Sequence, residues 1–144
     1  MIQPMPASAL GRRRRSGCPI SMALELLGDA WSLLIVRDLM FNDRRTYNDF
    51  LAGGEGIASN VLADRLRKLE EAAIIEKRRD PDDGRRFLYR LSPKGIDLAP
   101  VLVELVIWSA HHEQTDAPPE LVRSMRSDRA AFLADVRRRW RSDL

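Results

Sequence analysis

Between residues 59 and 91 the spacing of apolar side chains changes period once, and that change leaves few folds open. Leu62, Leu66, Leu69 and Ala73 recur at steps of four, three and four, which puts an apolar stripe on one face of a helix over residues 59–71. From Ile74 onward an extended run with Ile75, Lys77 and Arg79 leads into Asp80, Pro81, Asp82, Asp83 and Gly84, followed by an aromatic and aliphatic run over residues 86–91. A Pro-Asp-Asp-Gly tip between two such runs predicts a β-hairpin. Upstream, Thr46 and Asp49 have capping-box spacing ahead of Tyr47, Phe50 and Leu51, and Gly53, Gly54 and Gly56 stop that short helix. Two short helices across a glycine-rich turn, then a hairpin, describe a winged helix-turn-helix.

The flanks extend this unit. Pro19 suits the first turn of a helix ended by Gly28, and Asp29 is placed to cap a second helix over residues 30–40. Ser92 and Pro93 open a further helix. Between residues 98 and 110 the only charge is Glu104, and a helix apolar nearly all round cannot stay exposed in a 144-residue chain. A second subunit is expected on it, through Leu98, Leu102, Leu105, Val106 and Trp108, with a kink at Pro100. A last amphipathic helix is expected from residue 120 to 140. The fold class is therefore mainly α with a small β-hairpin (α+β). It divides into a basic arm (1–17), a DNA-binding unit (18–95) and C-terminal dimerisation helices (96–144).

Composition narrows the functions. The net charge is +3, with 24 Lys and Arg against 21 Asp and Glu, and 21 of the cations are Arg. Arginine binds phosphate and guanine bidentately, which raises nucleic acid among the partners without establishing it. One cysteine excludes an internal disulfide framework, no apolar run reaches a membrane span, and the first residues are unlike a secretory signal, so a cytoplasmic protein is expected. One cysteine and two adjacent histidines offer no metal-ligand spacing, and no cofactor is expected. Cys18, His111 or His112, and Asp116 have the residue types of a nucleophilic triad but no flanking motif, so catalysis is not expected.

Three motifs in order carry a family resemblance: CPISMALELLGDAWSLLIVRDL (residues 18–39), GIASNVLADRLRKLEEAAII (56–75) and YRLSPKG (89–95). They resemble the HxlR-type family of bacterial winged-helix regulators, close to the MarR-like proteins. That resemblance implies a homodimeric, DNA-binding transcriptional regulator, often responsive to oxidants or reactive small molecules; two-fold symmetry predicts a pseudo-palindromic operator, and a repressor is expected, although helix-turn-helix position does not settle repression or activation. Two departures stand out: Ala58 takes the place of the usual capping Ser, and the wing reads DPDDGRRF without paired prolines.

With Leu62, Leu66 and Leu69 inward, Asn60, Asp64, Arg67 and Glu71 share the opposite face, with Ala63 and Lys68 at its edges. Asn reads adenine and Arg reads guanine, so Asn60 and Arg67 are the expected base readers. Ser59, Arg65, Arg85, Arg86 and Thr46 are expected on the backbone. Residues 12–15, four arginines, are either a groove-binding arm or a solubilising tail. Cys18, at a helix start behind those arginines, sits where a thiolate is favoured and is the candidate redox sensor. Trp31, Phe41, Tyr47 and Trp108 are candidates for an effector pocket or for core. A winged helix used for protein contacts, and a Cys-dependent enzyme, are the competing readings.

Overall fold

A computed structural model describes residues 14–143. Most of the expected basic arm, including Arg12 and Arg13, lies outside them. The elements run α1 (Pro19–Leu27), α2 (Ser32–Phe41), α3 (Tyr47–Leu51), α4 (Ser59–Glu71), β1 (Ile75–Arg79), β2 (Phe87–Leu91), α5 (Pro93–Ile96), α6 (Ala99–His112), α7 (Pro119–Ser127) and α8 (Arg129–Ser142). This is the mainly helical winged helix-turn-helix that the sequence predicts.

Local chemistry accounts for most boundaries. Pro19 occupies the first turn of α1, and the N–H of Gly28 closes it on the Leu24 carbonyl at 2.7 Å. The Asp29 carboxylate accepts from the N–H groups of Trp31 and Ser32 at 2.9 Å each and from the Ser32 hydroxyl at 2.5 Å. These are the bonds of the cap expected from Asp29, and regular α2 begins at Ser32, two residues past the expected start. Partial burial pushes the Asp29 pKa up, but the hydrogen bonds from Ser32 and Trp31 outweigh it and hold the carboxyl below its ordinary value. At α3 the capping box is complete: Asp49 N–H donates to Thr46 Oγ1 at 3.1 Å, and Asp49 Oδ2 accepts from Thr46 N–H at 3.0 Å.

Leu62, Leu66 and Leu69 of α4 join Ile35, Val36 and Phe50 in one core with Ile74, Ile75, Leu91, Ile96, Ala99 and Leu102. The core crosses the expected boundary at residue 95, so residues on both sides of it share one apolar interior. Ala73, expected in the α4 stripe, is outside the helix and exposed. Its φ of 60° is left-handed, its N–H bonds the Glu70 carbonyl at 2.9 Å, and Ile74 N–H bonds Leu69 at 3.0 Å. This is a Schellman end, and the burial of both Leu69 and Ile74 offsets the roughly 1–2 kcal/mol that a left-handed alanine costs.

β1 and β2 pair antiparallel with Ile75 opposite Leu91 and Arg79 opposite Phe87. Ser92 then ties wing to helix: its hydroxyl donates to the Ala73 and Ile74 carbonyls (2.6 and 3.0 Å) and accepts from Gly95 N–H at 3.0 Å.

Two expectations need correction. Pro100 does not kink a helix, because the chain breaks at Asp97 and Leu98 and Pro100 lies in the first turn of α6, where it has no partner to lose. The last helix is two helices. Asp128 leaves helical geometry (φ −150°, ψ 82°) and caps α8 by accepting from Ala131 N–H at 3.0 Å. The physical reason is two separate burial sites: Met125 packs with Val103 and Ile107, whereas Val136 enters the main core.

Gly95 is required by closeness. A Cβ there would lie 2.2 Å from the Ile74 carbonyl oxygen, whereas one at Gly84 would meet nothing within 4 Å. Gly95→Ala should cost about 1–3 kcal/mol or more by overpacking, seen as a lowered thermal midpoint, while Gly84→Ala leaves the midpoint within about 1 °C. Equal midpoints for the two variants would contradict this packing.

Candidate nucleic-acid interface

Burial of the three leucines turns the rest of α4 outward. Ser59, Asn60, Ala63, Arg67, Lys68 and Glu71 are exposed, and Asp64 and Arg65 are half-buried. Ala58 supplies no side-chain cap to α4, and Leu62 is the first residue whose N–H bonds back, to the Ala58 carbonyl at 2.9 Å. The earlier amides of the first turn therefore have no partner within the helix, the arrangement that receives a phosphate. The preceding turn reverses direction through Gly54 (φ 86°) and Gly56 (φ 75°). Tyr47 pins the two helices, its hydroxyl donating to the Ser59 carbonyl at 2.9 Å.

The charges on α4 are paired with one another. Arg67 bonds Asp64 at 2.7 Å and Glu71 at 2.9 Å, and Lys68 reaches Asp64 at 3.1 Å. Hydrogen bonds from Lys68 and Arg67 hold the Asp64 carboxyl below its usual range, so it stays ionised and keeps both cations engaged. Arg65 leans the other way, 3.6 Å from Asp29, and links α4 to the loop before α2. It lies off the exposed face on which the backbone contact was expected.

In the wing, Asp80 is buried and accepts from Asp82 N–H (2.9 Å) and from Arg86 through two nitrogens (2.8 and 2.5 Å). The Asp82 amide first, then Arg86, holds its pKa down. Arg86, expected on a phosphate, is thus engaged in shaping the tip, whereas Arg85 projects almost fully exposed with Asp83 3.6 Å away. Arg79 donates to the Gly84 carbonyl at 2.6 Å and stacks on Phe87, and Arg78 beside it on β1 is exposed. A cleft of about 420 Å³ opens between the start of α3 and the wing, lined by Thr46, Tyr47, Asn48, Arg85, Arg86 and Tyr89 among others. Thr46 is largely buried and its hydroxyl accepts the Asp49 amide, so its part there is to cap α3.

The sequence reading passed over Tyr47 as a brace, Asp29 as a partner of Arg65, and Arg78. Only Arg78 left a signal, as the middle of a basic run on a strand edge; the other two arise from contacts between elements distant in sequence.

Cys18 is exposed at the N-cap of α1, its N–H within 3.3 Å of Ser16 Oγ. Of the candidate pocket aromatics, only Phe41 lines the apolar groove of about 300 Å³ between α2 and α6, with Leu33, Leu34, Leu102, Leu105 and Val106. Trp31 and Tyr47 belong to other surfaces, and Trp108 is exposed and stacks at 5.3 Å on His112. His111 and His112 end α6 in solvent. Among the described residues no three His, Cys, Asp or Glu side chains group closely enough to hold a metal, and no single helix is long and apolar enough to cross a membrane.

The chain is similar to proteins named as regulators. It is 36% identical over 107 residues to the HTH-type transcriptional regulator Rv3095 of Mycobacterium tuberculosis, a match that takes in 74% of this chain and 66% of that one, just under two thirds. The HTH-type transcriptional regulator YodB of Bacillus subtilis is 32% identical over 93 residues, covering 64% of this chain and 82% of that one, and its reduced form superposes with a TM-score of 0.56 over 67% and 95% of the two chains. The crystal structure of PA1607 is 33% identical with a TM-score of 0.64, covering 73% of this chain and 72% of that one. Residues 26–117, which hold α2, the helix-turn-helix, the wing and α6, match the HxlR-like helix-turn-helix description, and the chain belongs to that family.

Proposed function

We propose that this protein is a homodimeric, sequence-specific DNA-binding transcriptional repressor that reads the major groove with α4 and meets the backbone with its wing. The observation that carries the reading is the outward polar face of α4, set between a first turn of free amides and a cleft rimmed by wing arginines. Asn60 and Arg67 are its base readers; Ala63 sits between them as a small contact, and Lys68, Ser59 and Arg85 serve register. Arg67 and Lys68 enter the groove by exchanging their pairs with Asp64 and Glu71 for DNA, a low-cost exchange because all four groups are exposed or half-exposed.

Support for a second copy comes from α1 and α6. None of the described residues of α1 is buried, and Ile20 (71% exposed), Leu24 (60%) and Trp108 (63%) are large apolar groups left in water. Val101 and Leu105 are exposed apolar groups on α6 as well, in line with Trp108 at steps of four and three. Leu102 is buried in the chain's own core, and Leu98 and Val106 pack partly there, so the dimer contact we propose rests on Ile20, Leu24, Val101, Leu105 and Trp108. The similar regulator YodB occurs in quinone-bound and diamide-treated forms. We carry that chemistry to Cys18, because modification there changes the start of a helix in the proposed dimer surface; a disulfide would have to join two subunits or a small thiol.

The DNA reading is tested by selecting genomic fragments with the purified protein and measuring their mobility shift. Arg67→Ala or Asn60→Ala should lose about 1–3 kcal/mol of discrimination, roughly 5- to 150-fold, against a scrambled duplex. Affinity for the selected fragment should fall by about 10³ to 10⁵ between 50 and 200 mM salt. A complex indifferent to salt and to sequence contradicts the reading and favours a protein-contact module. Leu105→Asp with Trp108→Asp should give a monomer in sedimentation with a native circular dichroism spectrum; an unchanged dimer moves the interface elsewhere. Quinone or peroxide treatment should release operator DNA from the wild type and not from Cys18→Ser, and equal retention by both proteins removes Cys18 as the sensor.

A further inference from the structure

The part of the chain that matches the family is short of positive charge. Residues 26–117 hold thirteen Lys and Arg against sixteen Asp and Glu, a net of −3, whereas residues 118–144 hold seven Arg against four acids, a net of +3. Five of those arginines are on α8, Arg129, Arg137, Arg138, Arg139 and Arg141, opposed within the helix only by Asp135. A protein binds duplex DNA through the cations it can bring to phosphates, and over residues 46–91, the helix-turn-helix and wing, nine Lys and Arg are matched by nine Asp and Glu, so cations beyond that unit add to its attraction for the duplex.

α8 is held against the base of the wing and the residues that lead into α3. Val136 is buried in the main core, and the indole N–H of Trp140 donates to the Leu91 carbonyl, at the end of the wing strand β2, at 2.9 Å. The Arg90 guanidinium lies over the same indole at 5.5 Å. One turn on, the Asp143 carboxylate accepts from Arg45 at 2.6 Å. Arg45 is the junction: its carbonyl accepts from Tyr89 N–H of the wing at 2.8 Å, its own N–H donates to Asp49 of the α3 cap at 2.9 Å, and the next residue, Thr46, begins α3. The C-terminal end of α8 thus abuts the seam between α3 and β2, whose other end opens as the cleft between Thr46 and Arg85.

The arginines of α8 divide into two sets. Arg129 and Arg137 turn back to Glu104 and Asp97 and fasten the helix. Arg138 (72% exposed), Arg139 (62%) and Arg141 face solvent; Arg139 lines a groove with Arg45, and Asp135 is the ion-pair partner of both Arg138 and Arg139. Such exposed pairs contribute about 0–1 kcal/mol and give way to a phosphate.

We propose that α8 is a second DNA contact surface, in which Arg138, Arg139 and Arg141 engage backbone phosphates flanking the site read by α4. The surface lies outside the family-matched residues, so the footprint of this chain is wider than that of the helix-turn-helix alone. It rests on the DNA reading above, and it assigns the last helix to DNA in place of dimerisation.

The test uses the full chain and the genomic fragment selected by the wild type, prepared once with about ten base pairs of flank on each side and once trimmed to the α4 footprint. In Arg138→Gln/Arg139→Gln/Arg141→Gln, fluorescence anisotropy should show at least about tenfold weaker binding to the flanked duplex and a salt dependence shallower by about 2 to 5 for the dimer. The preference for the selected over a scrambled sequence, the circular dichroism spectrum and affinity for the trimmed duplex should stay as in the wild type. Arg123→Gln/Arg126→Gln on α7 should leave the flanked duplex tightly bound. Equal affinities and parallel salt lines for wild type and triple variant, with specific binding intact, overturn the α8 contact and leave the α4 reading standing. An equal loss from the α7 variant overturns it in favour of overall charge. A wild type without preference for its selected fragment overturns both readings.

Discussion

The inward packing of Leu62, Leu66 and Leu69 is the contact on which the rest of this molecule depends. All three are buried, and at about 1.5–3 kcal/mol each they anchor α4 against α2, α3 and the wing strands. Their burial does more than stabilise. It sets the rotation of α4 about its axis, and so decides that Asn60, Ala63 and Arg67 stand in solvent. A helix turned by one residue would bury a charge and expose a leucine. The face proposed to read DNA is therefore a consequence of core packing.

Around that helix the chain spends its polar groups on orientation. Tyr47 holds the first turn of α4, Asp29 collects Trp31, Ser32 and the flank of Arg65, and Asp80 organises the wing tip through Asp82 and Arg86. These contacts are short or partly buried, and each joins two elements. By contrast, the pairs along α4 and α8 are exposed and local. The first kind shapes the site; the second keeps cations in reserve, held by weak partners that a polyanion can replace.

Much of the fold was legible because its signals are local. A period change at residue 74, a capping box at Thr46 and Asp49, a Pro-Asp-Asp-Gly tip and a glycine-rich turn each act within a few residues, and each appears where the sequence predicts it. Boundaries failed where a distant partner decided. The last helix breaks because Met125 and Val136 belong to different cores. The candidate site was legible as a face and a wing, but the engagement of Arg86 with Asp80 was not, since an arginine beside a turn does not announce its partner.

From the sequence alone followed the class of fold, the order of its elements, the family and the apolar excess on the helices at either end. The fold class and the apolar excess depend on periodicity and caps, and the family on the resemblance carried by three motifs; all are properties of short segments. Tertiary structure decided which apolar residues remain exposed, separating Leu102 in the core from Leu105 and Trp108 in solvent. It also decided that Gly95 must lack a side chain, because the Ile74 carbonyl arrives against it from twenty-one residues away. And it brought α8 to the wing through Trp140 and Arg45, turning a C-terminal charge excess into a surface beside the helix-turn-helix. Contacts across such separations are set by how whole elements pack, and no local pattern encodes them.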